Sequence, residues 1–362
     1  MKRDWLKMND DKIAPKQVLI IFMLSTGLVN HVMAIPILLE VSGRDAWVSV
    51  LVTASLYTGW IVFLYWIVKN MKGKPFFEWI RERFGLLLAS LLSLVVAMFL
   101  FLMMFITFKD TLTWTITSYF PQTPILILAL LFATIAYFCA SSNIQSLAIS
   151  AAVILFFVVI LGFFVMTTNF MYKDYTRLFP IFEKGFSPAL HGIIYSGGGL
   201  AEIALVILLQ HRIYPTIPLK NMWLLGFILV GLTLGPLMGS ITIFGVSEAS
   251  HQRYPAYEQW RLLQIGKYIS HVDFFSIYQW LSGTLIRLSI LLYLSADLFP
   301  LPTPHRKWLL RILSLLLVGA SLFRIGDAEL YAFIKHVYFP ASLCFFVGLS
   351  LFIGMLILVK RG

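Results

Sequence analysis

Two charged side chains lie deep inside apolar segments of the sequence, Glu202 and Arg287. A charge at the centre of a bilayer costs about 2.5–3.5 kcal/mol on insertion scales, so such residues are normally paired, face a cavity and serve a function. They are the only two such residues in the predicted spans and their charges are opposite. We therefore predict an ion pair between the sixth and eighth spans. A purely structural pair would give the same pattern, because burial and pairing alone do not establish a function.

Two apolar segments carry polar or glycine-rich interruptions that suit the binding of a small molecule. The first contains Ser25-Thr26-Gly27 and then Asn30-His31, and the sixth contains three consecutive glycines. Glycine costs about 1 kcal/mol relative to alanine inside a helix, so the triplet favours local unwinding. Interruptions at matching positions of two halves point to a transporter-type site, where freed backbone groups hold the charged ends of a ligand. The predicted ligand-site residues are Thr26, Gly27, Leu28, Asn30, Tyr195, Ser196, Gly197, Gly198 and Gly199.

Close helix packing is the alternative explanation for glycine in a membrane helix. It is our interpretation of Gly231, Gly235 and Gly239, whose four-residue spacing in the seventh span indicates packing alone. Two interruptions in register, one of them a triplet, favour a binding site over packing in the first and sixth spans.

Other residues allow a less specific interpretation. His31 is interpreted as a hydrogen-bonding packing residue rather than a proton relay. Phe101, Phe105 and Thr284 are assigned to a possible pocket wall, and the aromatic stripe of the third span is equally typical of a lipid-facing surface. The histidines have no metal-ligand spacing and no nucleophile–base arrangement is present, so the sequence predicts no cofactor, no metal and no catalytic residue.

The composition is that of an integral membrane protein. Hydrophobic residues make up 59% of the 362 residues and charged residues 12%, against about 45–50% and 25% in average globular proteins. A bilayer core of about 30 Å takes roughly 20 apolar residues as a helix. Ala140 to Asn143 supplies a turn within the uncharged stretch from Ile125 to Tyr172. The predicted spans are 16–40, 46–68, 86–108, 122–141, 143–168, 188–210, 221–247, 274–297, 308–323 and 337–359.

The loop charges predict an orientation. With the N-terminus in the cytoplasm, the inside segments hold 17 Lys and Arg against 6 Asp and Glu, and the outside segments hold ten of each. The net charge is then +11 inside and 0 outside, which agrees with the excess of basic residues in cytoplasmic loops. Because the basic residues divide in this way, they indicate a topology and not a surface for nucleic acid. Both termini are expected to be cytoplasmic.

Several motifs occur along the whole chain: Gly27 with Pro36 and Gly43-Arg44-Asp45-Ala46-Trp47, Gly73-Lys74-Pro75 with Glu78 to Gly85, Tyr175 to Pro180, and Tyr254-Pro255-Ala256-Tyr257 to Ile269 followed by Trp280. In their order and spacing they resemble those of the endospore germination permeases, the B subunits of nutrient germinant receptors. One departure is Ser270-His271-Val272-Asp273, where family members often carry Glu-Arg and an acidic residue. An amphipathic helix is predicted from Pro255 to Ile269, either as a lid or subunit contact or as an interfacial helix.

The resemblance implies an all-α integral membrane fold with ten transmembrane helices. It further implies a LeuT-like inverted five-plus-five repeat with helices 1 and 6 broken, as in the amino acid/polyamine/organocation transporters. The domains would be a cytoplasmic tail, 1–15, and one membrane domain, 16–362, with repeats at about 16–168 and 188–359. It also implies a small germinant, typically an amino acid, a receptor A subunit, a lipoprotein C subunit and the spore inner membrane.

Three hypotheses follow. The first is a receptor subunit that binds an amino acid-like germinant at the break in spans 1 and 6 and passes a conformational shift to its partners. The second is an ion- or proton-coupled secondary amino acid transporter with the same fold and site. The third is a membrane enzyme or scaffold, which the missing catalytic arrangement disfavours. A transporter fold supports both of the first two roles.

Overall fold

The computed structural model describes residues 11–264 and 272–359. Over these ranges the chain is helical, apart from connecting segments and one isolated bridge between Ile13 and Ile213. The α-helices are α1 (Pro15–Leu28), α2 (Ala34–Ser42), α3 (Ala46–Met71), α4 (Phe76–Phe84), α5 (Leu86–Ser118), α6 (Ile125–Ser141), α7 (Ile144–Thr168), α8 (Ser187–Leu200), α9 (Val206–Leu209), α10 (Leu219–Ala249), α11 (Pro255–Arg261), α12 (Phe274–Asp297), α13 (Thr303–Ser321), α14 (Asp327–Phe333) and α15 (Phe339–Val359).

Within the described ranges, seven helical stretches are long and apolar enough to cross a bilayer. They are Pro15–Met71, Leu86–Ser118, Ile144–Tyr172, Ser187–Arg212, Leu219–Ala249, Phe274–Asp297 and Asp327–Val359. The first covers two predicted spans, and Gly43 interrupts it with a φ of +55°, a value that favours glycine. Helix α6 is apolar but has 17 residues. The all-helical prediction is confirmed, and the ten-helix inverted repeat stays a prediction.

The turn predicted at Ala140 to Asn143 is confirmed. Helix α6 ends at Ser141 and α7 begins at Ile144. The side chain of Asn143 caps α7, because its Oδ1 accepts a hydrogen bond of 2.7 Å from the backbone N–H of Ser146. An Asn at this position satisfies one of the free N–H groups of the first helical turn.

The helix of the third span is longer than the predicted apolar run 86–108. Helix α5 continues to Ser118 and contains Lys109 and Asp110, which are 5% and 0% exposed. The Nζ of Lys109 donates hydrogen bonds of 2.9 Å to the carbonyl groups of Ser321 and Phe323. Because Lys109 and Asp110 are charged, hydropathy alone assigns them to a loop outside the span. Glu202 and Arg287 are therefore not the only charged residues buried within the helices of the bundle.

The breaks predicted in segments 1 and 6 are changes of helix type and not unwound stretches. Segment 1 makes a π-helical turn over Val29–Met33, directly after α1. In segment 6 the glycine triplet lies within α8, and a 3₁₀ turn over Ala201–Leu205 follows it. Such turns shift the backbone hydrogen-bond register and commonly mark functional sites. The predicted unwinding at the triplet was wrong, because the glycines keep helical geometry at close helix contacts.

The predicted helix from Pro255 to Ile269 is shorter in the structure. Helix α11 ends at Arg261, and residues 265–271, with Ser270 and His271 of the departing motif, lie outside the described residues. The side chain of Trp260 is buried against Leu263, Val272 and residues of α7. This contact fixes α11 to the bundle.

Candidate functional site

Three oxygen atoms on segment 1 are buried without a hydrogen-bond partner. They belong to the side chains of Ser25, Thr26 and Asn30, and all three residues are at most 2% exposed. The amide nitrogen of Asn30 donates to the carbonyl of Thr26 at 3.0 Å, which leaves Asn30 Oδ1 free. A buried polar atom without a partner costs free energy, so a cluster of them needs an explanation. These residues lie in the last turn of α1 and in the π turn.

Glu202 and Arg287 form the ion pair that their sequence positions suggested. Arg287 Nη1 lies 2.5 Å from Glu202 Oε2, and Nη2 lies 2.8 Å from Oε1. Both side chains are 0% exposed. The parallel contacts match the planar guanidinium to the carboxylate, which is the strong geometry for such a pair. The pair joins the 3₁₀ turn of segment 6 to α12.

Two further side chains complete this buried centre. The hydroxyl of Tyr338 donates to Glu202 Oε1 at 3.0 Å and accepts from Arg287 Nη2 at 3.2 Å. Arg287 Nε donates to Thr107 Oγ1 at 2.8 Å, and Nη1 reaches the carbonyl of Ser25 at 3.3 Å. The guanidinium therefore contacts four helical stretches at once. They are Pro15–Met71, Leu86–Ser118, Ser187–Arg212 and Asp327–Val359. Sequence reasoning missed Tyr338 and Thr107, because a Tyr or Thr among apolar residues gives no signal of its partner.

The other predicted site residues are divided among different contacts. Thr284 Oγ1 lies 2.9 Å from Thr111 Oγ1, one turn along α12 from Arg287. Phe101 and Phe105 are partly buried and pack against the hydrophobic core. Ser196 Oγ lies 2.6 Å from Thr53 Oγ1, and the ring of Tyr195 contacts Phe339 with centroids 6.3 Å apart.

The glycines of α8 permit close contact with neighbouring elements. A Cβ at Gly199 would lie 2.3 Å from Asn30 Oδ1, and one at Gly198 would lie 2.5 Å from the carbonyl oxygen of Phe339. A Cβ at Gly197 would lie 3.2 Å from Leu343. Gly199 therefore brings segment 6 directly against the unpartnered amide oxygen of segment 1. The triplet and the π turn are therefore neighbours.

A cavity of about 410 Å³ lies on another side of segment 1. Of the predicted ligand-site residues it is lined by Gly27 and Leu28, and not by Thr26, Asn30 or the glycine triplet. Gly231 and Gly235 also line it, and a Cβ on either would meet no atom within 4 Å. The interpretation of these two glycines as packing residues was wrong. Gly239 does pack, because a Cβ there would lie 2.6 Å from Gln259 Oε1.

A second charged cluster lies at the end of the bundle where α10 leads to α11. Arg253 Nη2 lies 2.6 Å from Asp110 Oδ1, and Arg253 Nε lies 3.2 Å from Asp327 Oδ2. The hydroxyl of Tyr254 donates to Asp110 Oδ1 at 3.1 Å. Burial opposes the charge of Arg253, but the two carboxylates outweigh burial and raise the pKa of Arg253. Arg253 and Asp327 line an open cavity of about 870 Å³ at this end.

The polar groups around segment 1 suit the binding of a small polar molecule. In residues 11–264 and 272–359, no group of three His, Cys, Asp or Glu side chains is placed to hold a metal ion. The polar atoms near segment 1 are hydroxyl and amide oxygens, which can accept hydrogen bonds from an ammonium, and the hydroxyls can also donate to a carboxylate.

Comparison with known proteins identifies the family. The spore permease family, described as spore germination protein, matches residues 12–323. Spore germination protein XB of Bacillus anthracis is 38% identical over 344 residues, covering 95% of this chain and 96% of that protein. Spore germination protein KB of Bacillus subtilis (strain 168) is 21% identical over 268 residues, covering 70% and 69%. With its apolar helices and a match over most of its length, the chain belongs to the spore permease family of spore germination proteins.

Proposed function

We propose that this chain is the membrane subunit of a spore nutrient germinant receptor and binds a small germinant of amino acid type beside the π turn of segment 1. The observation that carries the site is the set of three unpartnered oxygens on Ser25, Thr26 and Asn30. An amino acid offers an ammonium to Asn30 Oδ1 and a carboxylate to the two hydroxyls. Binding would thus satisfy polar groups that are otherwise buried at a cost.

The neighbouring ion pair provides a route for the signal. Arg287 contacts the carbonyl of Ser25 and the carboxylate of Glu202, so movement of segment 1 changes the contacts that hold segments 6 and 8. A ligand that binds one arrangement better shifts the population toward it. In this proposal the shift passes to a receptor A subunit and a lipoprotein C subunit in the spore inner membrane. No catalytic step is involved.

Ligand titration of paired variants tests the site. Thr26→Val removes a hydroxyl that has no partner, so the variant should be at least as stable as the wild type. Its affinity for the amino acid that stabilises the wild type should fall about tenfold, the effect of losing one good hydrogen bond. Thermal-shift screening of the purified protein against amino acids finds the ligand, and isothermal titration measures the affinity.

Thr107→Val is the matched control, because its hydroxyl accepts a hydrogen bond from Arg287. This control should lower stability and change ligand affinity less than Thr26→Val does. Wild-type affinity in both Thr26→Val and Asn30→Ala would overturn the proposed site. A screen in which no amino acid stabilises the wild type would overturn the proposed germinant class.

Vesicle experiments separate sensing from the alternative, ion- or proton-coupled amino acid transport. Purified chain in proteoliposomes should bind its amino acid without accumulating it under a proton or sodium gradient. Accumulation that collapses with the gradient would favour the transporter.

The topology that belongs to this proposal has ten spans and both termini in the cytoplasm. Glu258 on α11 then lies on the outer side. A cysteine at this position should react with a membrane-impermeant maleimide in intact cells. Reaction only after permeabilisation would reverse the topology.

A further inference from the structure

The cavity of about 410 Å³ is a groove between five helices, α1, α7, α10, α11 and α12. Gly231 and Gly235 of α10 line it, and both residues are exposed. Gly27 and His31 of segment 1 also line it. Most of the surrounding side chains are apolar. The polar side chains of Gln259 and Gln279 already donate to backbone carbonyls of Pro236 and Val158.

One wall of the groove faces the surrounding medium and not the protein core. Along α7 the lining residues Phe163 and Met166 are 60% and 50% exposed. The stretch Ile144–Tyr172 that contains them has 6% of its most apolar window buried, the lowest share among the seven spans of the described chain. Apolar side chains exposed along such a span contact lipid. The groove is therefore open to the bilayer.

The length of the groove corresponds to one leaflet. The lining residues of α7 run from Leu155 to Met166. Eleven residue steps at about 1.5 Å each give a wall of about 16 Å, and half of a bilayer core is about 15 Å. A chain lying along this wall would reach from the bilayer centre to the interface.

The end of the groove beyond α7 carries a positive charge. Lys173 lines it and, among the described residues, has no carboxylate within ion-pair distance. Burial lowers the pKa of Lys173, so a bound anion would offset the cost of its charge. Phe170, Tyr172 and Tyr175 are exposed beside it. Exposed aromatic residues at the end of a span mark the membrane interface.

We propose that this groove binds an anionic phospholipid of the leaflet on the Lys173 side. One acyl chain lies along α7 and over Gly231 and Gly235, and the phosphate-containing headgroup contacts Lys173. The inner end of the chain reaches Gly27 and Leu28, directly before the π turn. The lipid is then part of the packing that supports segment 1, distinct from the germinant site on the other side of that segment.

Native mass spectrometry of the full chain tests this proposal. The protein is reconstituted in bilayers with equal amounts of phosphatidylglycerol and phosphatidylcholine. It is then extracted in detergent and released from the detergent micelle in the mass spectrometer. The wild type should retain one phosphatidylglycerol molecule. Gly231→Phe and, separately, Gly235→Phe should lose it, because each ring would occupy the groove. Gly348→Phe is the matched control, since Gly348 is an exposed helical glycine with no atom within 4 Å of a Cβ and does not line the groove.

The headgroup contact has its own pair of variants. Lys173→Ala should lower the preference for phosphatidylglycerol about fivefold, the effect expected for one basic residue at a membrane surface. Lys184→Ala, an exposed lysine away from this groove, should leave the preference unchanged. A wild type without retained phospholipid, or glycine variants that retain as much as Gly348→Phe, would overturn the site. Equal retention of the two lipids by the wild type would overturn the role of Lys173.

Discussion

The clusters around Arg287 and Arg253, here the inner and the outer cluster, hold opposite charges together in different ways. In the inner cluster, Glu202 and Arg287 are both 0% exposed and share two contacts. In the outer cluster, the side-chain exposure rises from 0% at Asp110 to 20% at Arg253 and 44% at Asp327. The inner cluster has Tyr338 as an added partner, whereas Asp110 Oδ2 in the outer cluster has none.

This difference indicates different roles. A fully buried pair with its hydrogen bonds satisfied is costly to separate, since each charge alone would remain in a medium of low polarity. The inner cluster therefore fixes the relative positions of five helical stretches. They are Pro15–Met71, Leu86–Ser118, Ser187–Arg212, Phe274–Asp297 and Asp327–Val359. The outer cluster is partly hydrated, so Arg253 can exchange partners at lower cost. Arg253 and Asp327 line the open cavity. The outer cluster is therefore suited to rearrangement when the bundle changes conformation.

The largest expected effect is at the inner pair. Arg287→Ala should lower the free energy of unfolding by about 3–5 kcal/mol, because it leaves the Glu202 carboxylate buried without a counter-charge. Glu202→Ala should have a similar effect for the same reason. Denaturant titration in mixed micelles measures the loss, and accumulation in the membrane reports it in cells.

The charge-swapped double variant, E202R/R287E, is the control for this first prediction. It should recover part of the loss, since the opposite charges are again neighbours. A double variant no more stable than the weaker single variant would show that the two residues act independently.

The second expected effect is at Arg253. Arg253→Ala should lower the free energy of unfolding by about 2–3 kcal/mol, because Asp110 is left buried with only Tyr254 as a donor. Arg253→Lys keeps the charge but loses the planar fork, and it should recover about half of the loss. An Arg253→Ala variant as unstable as Arg287→Ala would remove the distinction between the two clusters.

Sequence reasoning located the inner pair but not its surroundings. Opposite charges within apolar segments are visible in the sequence, and so are the turn before Ile144 and the all-helical class. The extension of α5 was not visible, because Lys109 and Asp110 resemble a loop until their partners at Ser321, Phe323 and Arg253 are known.

The glycines show the same limit. A glycine triplet indicates either unwinding or close contact. In the structure α8 stays helical through the triplet, and Asn30 and Phe339 lie where side chains at Gly199 and Gly198 would be. Conversely, the spacing of Gly231 and Gly235 indicates packing, although no atom lies where their side chains would be. The sequence fixes the residue types along a helix, but the rotation of the helix decides what each residue faces.

The third expected effect is at the hydroxyl of Tyr338. Tyr338→Phe should lower the free energy of unfolding by about 1.5 kcal/mol, since it removes a hydrogen bond to a charged group while keeping the ring in place. Tyr57→Phe is the control, because the hydroxyl of Tyr57 is buried without a partner. This control should have no destabilising effect. Equal losses in the two variants would show that the hydroxyl contact with Glu202 does not contribute.

The smallest expected effect is at Asp327, and it sharpens the comparison most directly. Asp327 is the most exposed member of the outer cluster, and its contact with Arg253 is longer than that of Asp110. Water screens such a contact, so Asp327→Asn should change the free energy of unfolding by about 0–1 kcal/mol and should lose even this effect in high salt. A double-mutant cycle with Arg253→Lys should give a smaller coupling energy for Asp327 than for Asp110, because Asp110 is fully buried. The comparison of the two coupling energies tests whether burial determines their strength. If Asp327 couples more strongly to Arg253 than Asp110 does, burial does not determine the coupling energies in the outer cluster, and Asp327 is the residue that holds Arg253 in place.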